Sequence, residues 1–357
     1  MKKVIKITVL HVLKLAGFFR LARWITRRKL RILCYHGIAL RDEWQFRPTL
    51  FMRAATFQQR LQIMKRRGCH IIPLATALGG LQSGDLPDLP TVLTIDDGWY
   101  STYRAALPIL ARFRMPATIY VTSYYVERNM PVFNVLTAYA LWASPARSLE
   151  LANWPERIRG PWTLADDRDR SLVLRELIGF ADDQCGAADR LSLARDIVQA
   201  LGLDWAQIDA SRSFYLMNEE EIAQMAAAGM DVQLHTHRHR FPRDAAAVER
   251  EIKDNRFVLE RLTHRKLNHF CYPSGIYDPC QWPWLERLGI ESATTCRGGL
   301  NGPDTPRLEL RRFLDGEDVA LIEFEAEIDG ALELLRRIFR RPERNAYEGA
   351  LTDAARL

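Results

Sequence analysis

At 357 residues, 48% hydrophobic and 26% charged, the chain is long enough to bury one large core or a core carrying an insertion, and it reads as an ordinary folded protein without a low-complexity tract. Its six cysteines (Cys34, Cys69, Cys185, Cys271, Cys280 and Cys296) are scattered with no C-x-x-C pair, which excludes a small disulfide-stapled scaffold and reads as reduced thiols in a cytoplasmic chain. The formal charge of +6 collects at the two ends, and no basic stripe with interleaved aromatics crosses the middle, so nucleic acid is not an expected partner.

From Met1 to Arg31 there are ten Lys or Arg and no acid, interleaved with residues such as Ile5, Val9, Val12, Phe19 and Trp24. Residues 1–30 are expected to be a basic amphipathic segment. Lys14 interrupts an apolar stretch that is already shorter than the ~20 residues of a membrane span. No small-residue cleavage site follows it. The expectation is a peripheral helix on anionic lipid at the inner membrane face, each cation contributing up to ~1 kcal/mol near the surface. The alternative is a helix whose apolar face packs on the domain.

Farther along, short apolar runs alternate with helical patterns, the signature of β/α units around a parallel sheet or barrel. Ile32–Tyr35 and Thr91–Ile95 read as buried strands. A helix over Ala105–Arg114 is stopped by Pro116, and Ala117–Thr122 is the next strand. Residues 125–213 change to Trp-, Arg- and Asp-rich helical text and are expected to form a mostly helical insertion serving as a lid, a partner surface or a membrane-facing element. Asn218 and Glu221 then make a capping box, Gly229 ends the helix over Ile222–Ala228, and Val232–Leu234 runs as a strand into His235. A helix over Asp244–Thr263, a strand at Asn268–Tyr272, a helix at Trp284–Leu288 closed by Gly289, and a strand at Ser292–Thr295 follow. The barrel is expected over 31–124 and 214–320, with a helical tail over 321–357. The tail's Arg336, Arg337, Arg340, Arg341 and Arg344 read as a solvated helix face.

Asp96 and Asp97 are adjacent, so in a regular strand they would point to opposite faces. Gly98 supplies a turn that lets both reach a pocket at the strand's end, where β/α barrels carry their sites. One carboxylate could bind a cation while the other acts as base. Alone, Asp-Asp-Gly is also an ordinary acidic turn. In His235-Thr236-His237-Arg238-His239 the outer histidines, at i and i+4, can share one face of a helical turn and grip one metal, with His237 pointing away. Two histidines and one carboxylate leave a fourth position for water, as in a catalytic zinc site. Thr236 stands where a zinc protease has its Glu, so the base must come from elsewhere, and Asp96 is available. A surface His cluster that binds nothing is the bland alternative.

These residues resemble the NodB-homology domain of the polysaccharide deacetylases, a carbohydrate esterase family with an irregular (β/α) barrel. Thr94-Ile95-Asp96-Asp97-Gly98 resembles its T-F-D-D-G, His235-Thr236-x-x-His239 its H-[ST]-x-x-H, and Phe270-Cys271-Tyr272-Pro273-Ser274-Gly275 its third motif. The resemblance covers about 31–124 and 214–315. It implies an α/β fold and one divalent metal, usually zinc, on Asp97, His235 and His239. It also implies Asp96 as base and a backbone N–H within Tyr272, Pro273 and Ser274 completing an oxyanion site. Two family features are missing. Cys271 stands where many members have an Arg that orients the base, so Arg311 or Arg312 must substitute, and no histidine follows His269 to act as the acid. Leu33-Cys34-Tyr35-His36-Gly37 resembles the first strand of a permuted branch whose acid His lies there, which assigns His36 that role; a core histidine at a strand end is the alternative. The expected activity is N-deacetylation of an amino sugar in surface-glycan assembly, on a substrate that could be lipid-linked. Deformylation of a lipid-linked aminosugar and a non-catalytic glycan-binding barrel are the competing readings. Trp99, Trp142, Trp154 and Trp162 could stack on sugars, or pack in the core.

Overall fold

The computed structural model describes residues 2–339; residues 340–357 of the expected tail, with Arg340, Arg341 and Arg344 of the basic face, lie outside the described residues. The buried apolar runs form one parallel sheet, ordered from edge to edge Ser292–Thr294, His269–Cys271, Asp231–Leu234, Thr118–Val121, Pro90–Ile95, Arg31–Tyr35 and Phe313–Leu314, with His70–Ile71 paired to the start of Pro90–Ile95. The sheet curls until its edges meet, because Thr294 bridges Leu310 in parallel and the Thr295 N–H donates to the Leu310 carbonyl at 2.9 Å. This is the expected irregular (β/α) barrel. Strand alternation sorts its side chains: Ile32, Val92, Tyr120, Cys271 and Leu310 share the inner cluster, while Leu33, Tyr35, Leu93 and Ile95 pack outward with the helices.

Each of the six strands read from the sequence lies within about a residue of that reading, since β-branched and aromatic runs bounded by Gly and Pro leave little choice of ends, whereas His70–Ile71 and Phe313–Leu314 are strands that the sequence reading lacks. The capping box forms as expected: Asn218 Oδ1 accepts from the Glu221 N–H at 2.9 Å, and Glu221 returns a bond to the Asn218 N–H at 2.8 Å, opening the helix Glu219–Ala227. The expected helix over 105–114 begins instead with a wider π turn, Thr102–Ala106, before the α-helix Leu107–Phe113. It ends at Arg114 in the left-handed conformation, ahead of Pro116.

Residues 125–213 are mostly helical, with Phe133–Ala143, Asp167–Gln184 and Ala187–Ala200 as the longest helices and one small antiparallel pair, Ser148–Leu149 with Trp162–Thr163. Their apolar residues join the barrel's outer core in a single cluster that includes Phe133, Leu136, Phe214 and Leu216.

The N-terminal segment forms two helices, α1 (Lys2–Leu15) and α2 (Phe18–Ile25), hinged at Gly17, whose φ of 81° suits glycine. Leu10, Phe19 and Ala22 are buried against Ile322, Ala326 and Ala331. The packed-helix alternative holds for one face, and the other face is open to solvent. No helix among the described residues is long and apolar enough to cross a membrane.

Candidate active site

Asp96 follows the last residue of Pro90–Ile95 and keeps the strand's alternation, so its side chain turns into the mouth of the barrel. Asp97 breaks that alternation. Its φ is 71° and that of Gly98 is 83°, and the two consecutive left-handed residues swing the second carboxylate to the same end. Gly98 is also required sterically, since a Cβ there would meet Val121 Cγ1 at 2.9 Å. Trp99 is buried, and its indole Nε1–H donates to Asp97 Oδ2 at 2.8 Å. The other oxygen, Oδ1, lies 3.3 Å from His235 Nε2 and 3.4 Å from His239 Nε2.

The two histidines meet by a route other than the expected helical turn. Residues 235–239 form a loop in which Thr236 (φ 62°) and His239 (φ 56°) are left-handed. The loop is tied by an Arg240 N–H bond to Thr236 Oγ1 at 3.2 Å. His237 points away as expected, but into a buried pocket, where Nδ1 lies 2.9 Å from Ser123 Oγ. Burial lowers its pKa.

His235 Nδ1 sits 2.8 Å from the Cys271 carbonyl oxygen, an acceptor that makes Nδ1 the donor and turns Nε2 toward Asp97. Asn255, fully buried on the helix Ala245–Thr263, accepts the His235 N–H and donates to the Val121 carbonyl and Ser123 Oγ. A carboxylate oxygen and two imidazole nitrogens, backed by an indole, a carbonyl and an asparagine, are the donor set and support of a catalytic zinc-type centre. The residues present therefore fit a divalent metal. Burial raises the Asp97 pKa, but hydrogen bonds from His235 and His239 carry it well below the carboxylate range. The His239 side chain is 42% exposed, so this side of the centre is open.

Asp96 is held differently. Arg312, wholly buried, enters from the barrel seam and forks onto it, Nη1 to Oδ1 and Nη2 to Oδ2, each at 2.8 Å. Arg312 is itself anchored by Nε–H to the Thr295 carbonyl at 2.9 Å. Of the two arginines offered by the sequence, it is Arg312 that reaches Asp96. Arg311 is turned the other way by strand alternation, its backbone exchanging hydrogen bonds with Asn301, and it touches neither carboxylate. Burial would raise the Asp96 carboxyl, yet the charge and hydrogen bonds of Arg312 outweigh it and hold the pKa at about 2.

Cys34 and Cys271 had no assigned function in the sequence, and both aim their thiols at Asp96 Oδ2, at 3.4 and 3.3 Å. Burial pushes both thiols well up, so they stay protonated donors. Oδ2 thus receives three donors and Oδ1 one, which leaves a lone pair free on Oδ1. His36, just beyond Arg31–Tyr35 and partly exposed, places a ring nitrogen within 4.8 Å of the Asp96 carboxylate.

The expected oxyanion stretch is narrower than the sequence suggested. The Tyr272 N–H is used by the Thr294 carbonyl at 3.2 Å, its hydroxyl donates to the Leu308 carbonyl, and Pro273 has no N–H. Ser274, exposed and left-handed (φ 56°), carries the one N–H of the three left to face substrate. Among the tryptophans considered for sugar stacking, Trp154 and Trp162 bond to Asp196 and the Ile158 carbonyl inside the insertion, and Trp142 stays exposed.

The family model described as polysaccharide deacetylase matches residues 83–158 and 200–293. The match takes in Asp96, Asp97, His235, His239 and Tyr272–Ser274, runs into the insertion from both sides, and leaves His36 and Arg312 outside. No curated protein sequence matches the chain. The fold is similar to that of the Streptococcus pyogenes deacetylase PplD in complex with acetate (18% identity, TM-score 0.56, covering 85% of this chain and 99% of that one). It is also similar to IcaB from Ammonifex degensii (19%, 0.54, 84% and 97%) and to a de-N-acetylase from Aggregatibacter actinomycetemcomitans (13%, 0.53, 84% and 99%). With paired aspartates and two histidines converging at one end of its barrel, the chain carries a polysaccharide deacetylase domain, the kind found in hydrolases that act on N-acetyl amide bonds.

Proposed function

We propose that this enzyme is a metal-dependent N-deacetylase acting on an N-acylated amino sugar of a surface or lipid-linked glycan, from a peripheral position on the cytoplasmic face of the membrane. The observation that carries the metal dependence is the approach of Asp97 Oδ1 to His235 Nε2 and His239 Nε2, at 3.3 and 3.4 Å, beside a separately held Asp96. Asp97, His235 and His239 would hold one divalent metal, most simply Zn2+ for this donor set. When bound, it supplies Lewis-acid polarisation of the amide carbonyl and makes a water easier to deprotonate.

The chain's own residues account for the protons. The attacking water's oxygen bonds to the carbonyl carbon, and its proton passes to Asp96 Oδ1, the oxygen with the free lone pair. Arg312 fixes that carboxylate and keeps it ionised until it is needed. The Ser274 N–H faces the oxyanion, where one donor can be worth ~3 kcal/mol. As the C–N bond breaks, His36 gives its proton to the nitrogen, so a carboxylate and an amine leave. The position of His36, beside Asp96 and partly exposed, supports this assignment.

The test is acyl release by metal-reconstituted protein from N-acetylated oligosaccharides and from lipid-linked amino sugars, with acetate and formate both quantified. Acetate release abolished by chelation supports the reading. Formate release alone moves the activity to a deformylase, and release of neither from metal-loaded protein contradicts it.

A further inference from the structure

The two N-terminal helices show an arrangement that their composition hides. Three lysines of α1 are tied to the domain: Lys3 Nζ donates to the Asp318 carbonyl at 2.6 Å, Lys6 pairs with Glu323 at 2.7 Å, and Lys14 pairs with Glu325. With those cations engaged by the domain, α1 also turns an apolar face to solvent, beside the exposed Thr8 and His11. Ile5, Val9 and Val12, spaced i, i+4, i+7 on one face of α1, and Leu21, Trp24 and Ile25 on one face of α2 are 47% to 63% exposed. Scattered surface apolar residues need no explanation, but a stripe of them on each of two successive helices does.

We infer that this stripe is a docking surface for an anionic lipid bilayer, in which α1 and α2 lie in the interface with their apolar face inward. Charge complementarity selects the occupant. Arg20 and Arg27 border the stripe, Arg27 resting 5.1 Å from the Trp24 ring centroid, and neither is paired with a carboxylate among the described residues. A stripe of aliphatic side chains with Trp and Arg at its border suits the acyl–headgroup boundary. A second copy suits it less, because residues 1–31 contain no acid and a twofold pairing would set these arginines against one another.

The placement also bears on substrate. Lys3 contacts Asp318, in the loop that follows Phe313–Leu314, and the Asp315 N–H in that loop donates to the Cys34 carbonyl. That is the end of the barrel at which Asp96 and His36 open. α2 leads to the opposite end, where Arg31–Tyr35 begins, so α1 runs along the flank for ~21 Å from the active rim toward the base. A bilayer against this flank would lie beside the site, as a lipid-linked amino sugar requires. This last consequence rests on the deacetylase reading, whereas the docking itself does not.

The experiment is flotation of the full chain with phosphatidylcholine vesicles, with and without phosphatidylglycerol. Comparison is with Val9→Glu/Val12→Glu and Arg20→Glu/Arg27→Glu, and melting temperature and soluble-substrate turnover serve as controls on folding. The wild type should float with phosphatidylglycerol vesicles and release at high salt. Val9→Glu/Val12→Glu should lower partitioning by roughly tenfold or more, and Arg20→Glu/Arg27→Glu should abolish the preference for anionic lipid. Absence of flotation, flotation unaffected by Val9→Glu/Val12→Glu, or a soluble dimer dissolved by that pair would overturn the inference. Flotation without turnover of any amide would leave the docking intact and overturn the deacetylase reading instead.

Discussion

Replacing Arg312 by methionine keeps an unbranched side chain in the seam but strips Asp96 of both guanidinium bonds and the Thr295 carbonyl of its donor. Asp96 would then be a buried carboxylate whose remaining hydrogen-bond donors are two thiols. Removing one partner of a buried ion pair costs about 3–5 kcal/mol, most of it the uncompensated charge left behind. Asp96→Asn in the same background removes that charge, so the double variant should recover at least ~2 kcal/mol relative to the sum of the singles. Urea unfolding of the four proteins gives the coupling directly. The same change should be visible in catalysis. Burial is the largest influence on Asp96, and without Arg312 only the nearby His36 and His235 oppose it, so the pKa rises from about 2. The acid limb of the kcat/KM profile should therefore move to higher pH in Arg312→Met. A loss below about 1 kcal/mol, additive singles, or an unmoved acid limb would refute the assignment of Arg312 as the residue that holds the base.

Trp99→Phe removes the Nε1–H bond to Asp97 Oδ2 and should weaken zinc affinity by roughly 10–100-fold, read by competition with a chelating dye. Asn255→Ala leaves the His235 N–H and the Val121 carbonyl without their buried partner; it should cost about 1–3 kcal/mol in urea unfolding. Asp315 offers a pH test away from the metal ligands. Burial raises its pKa to about 7 although Arg60 lies 3.1 Å away. Because the folded pKa is raised, the associated stability is full below the unfolded value near 4 and is lost as pH rises through about 7. On the order of 4 kcal/mol should therefore separate the pH slopes of wild type and Asp315→Asn across that window, and parallel slopes would contradict it.

The barrel was legible because its strands are dense apolar runs closed by Pro or Gly, and local pattern decides such elements. Asp96, Asp97, His235 and His239 could be named for the same reason, each standing at the end of a readable strand. The loop geometry joining the histidines could not, since left-handed Thr236 and His239 carry no sequence mark as glycines do. The choice between Arg311 and Arg312 depended on which face of an edge strand looks inward. That is settled only by the closure at Thr294–Leu310, a contact across the whole sheet order. Cys34 and Cys271 were visible merely as scattered thiols, because their meeting at Asp96 Oδ2 is a property of the closed barrel. In α1 the sequence offers the lysines to lipid, but Lys6 and Lys14 pair with acids more than 300 positions away and Lys3 reaches the Asp318 carbonyl, which leaves an apolar face outside.

The most direct test is to measure acetate released and zinc bound in the same samples of wild type, Asp96→Asn and His235→Ala, with an N-acetylated amino-sugar oligomer as substrate. If Asp97 and the histidines hold the metal while Asp96 takes the proton, Asp96→Asn should bind zinc like the wild type and lose 10²-fold or more of the rate, on the order expected for a general base. His235→Ala should lose both. Full activity in Asp96→Asn, or zinc binding that disappears with Asp96 but survives loss of His235, would contradict that division of labour.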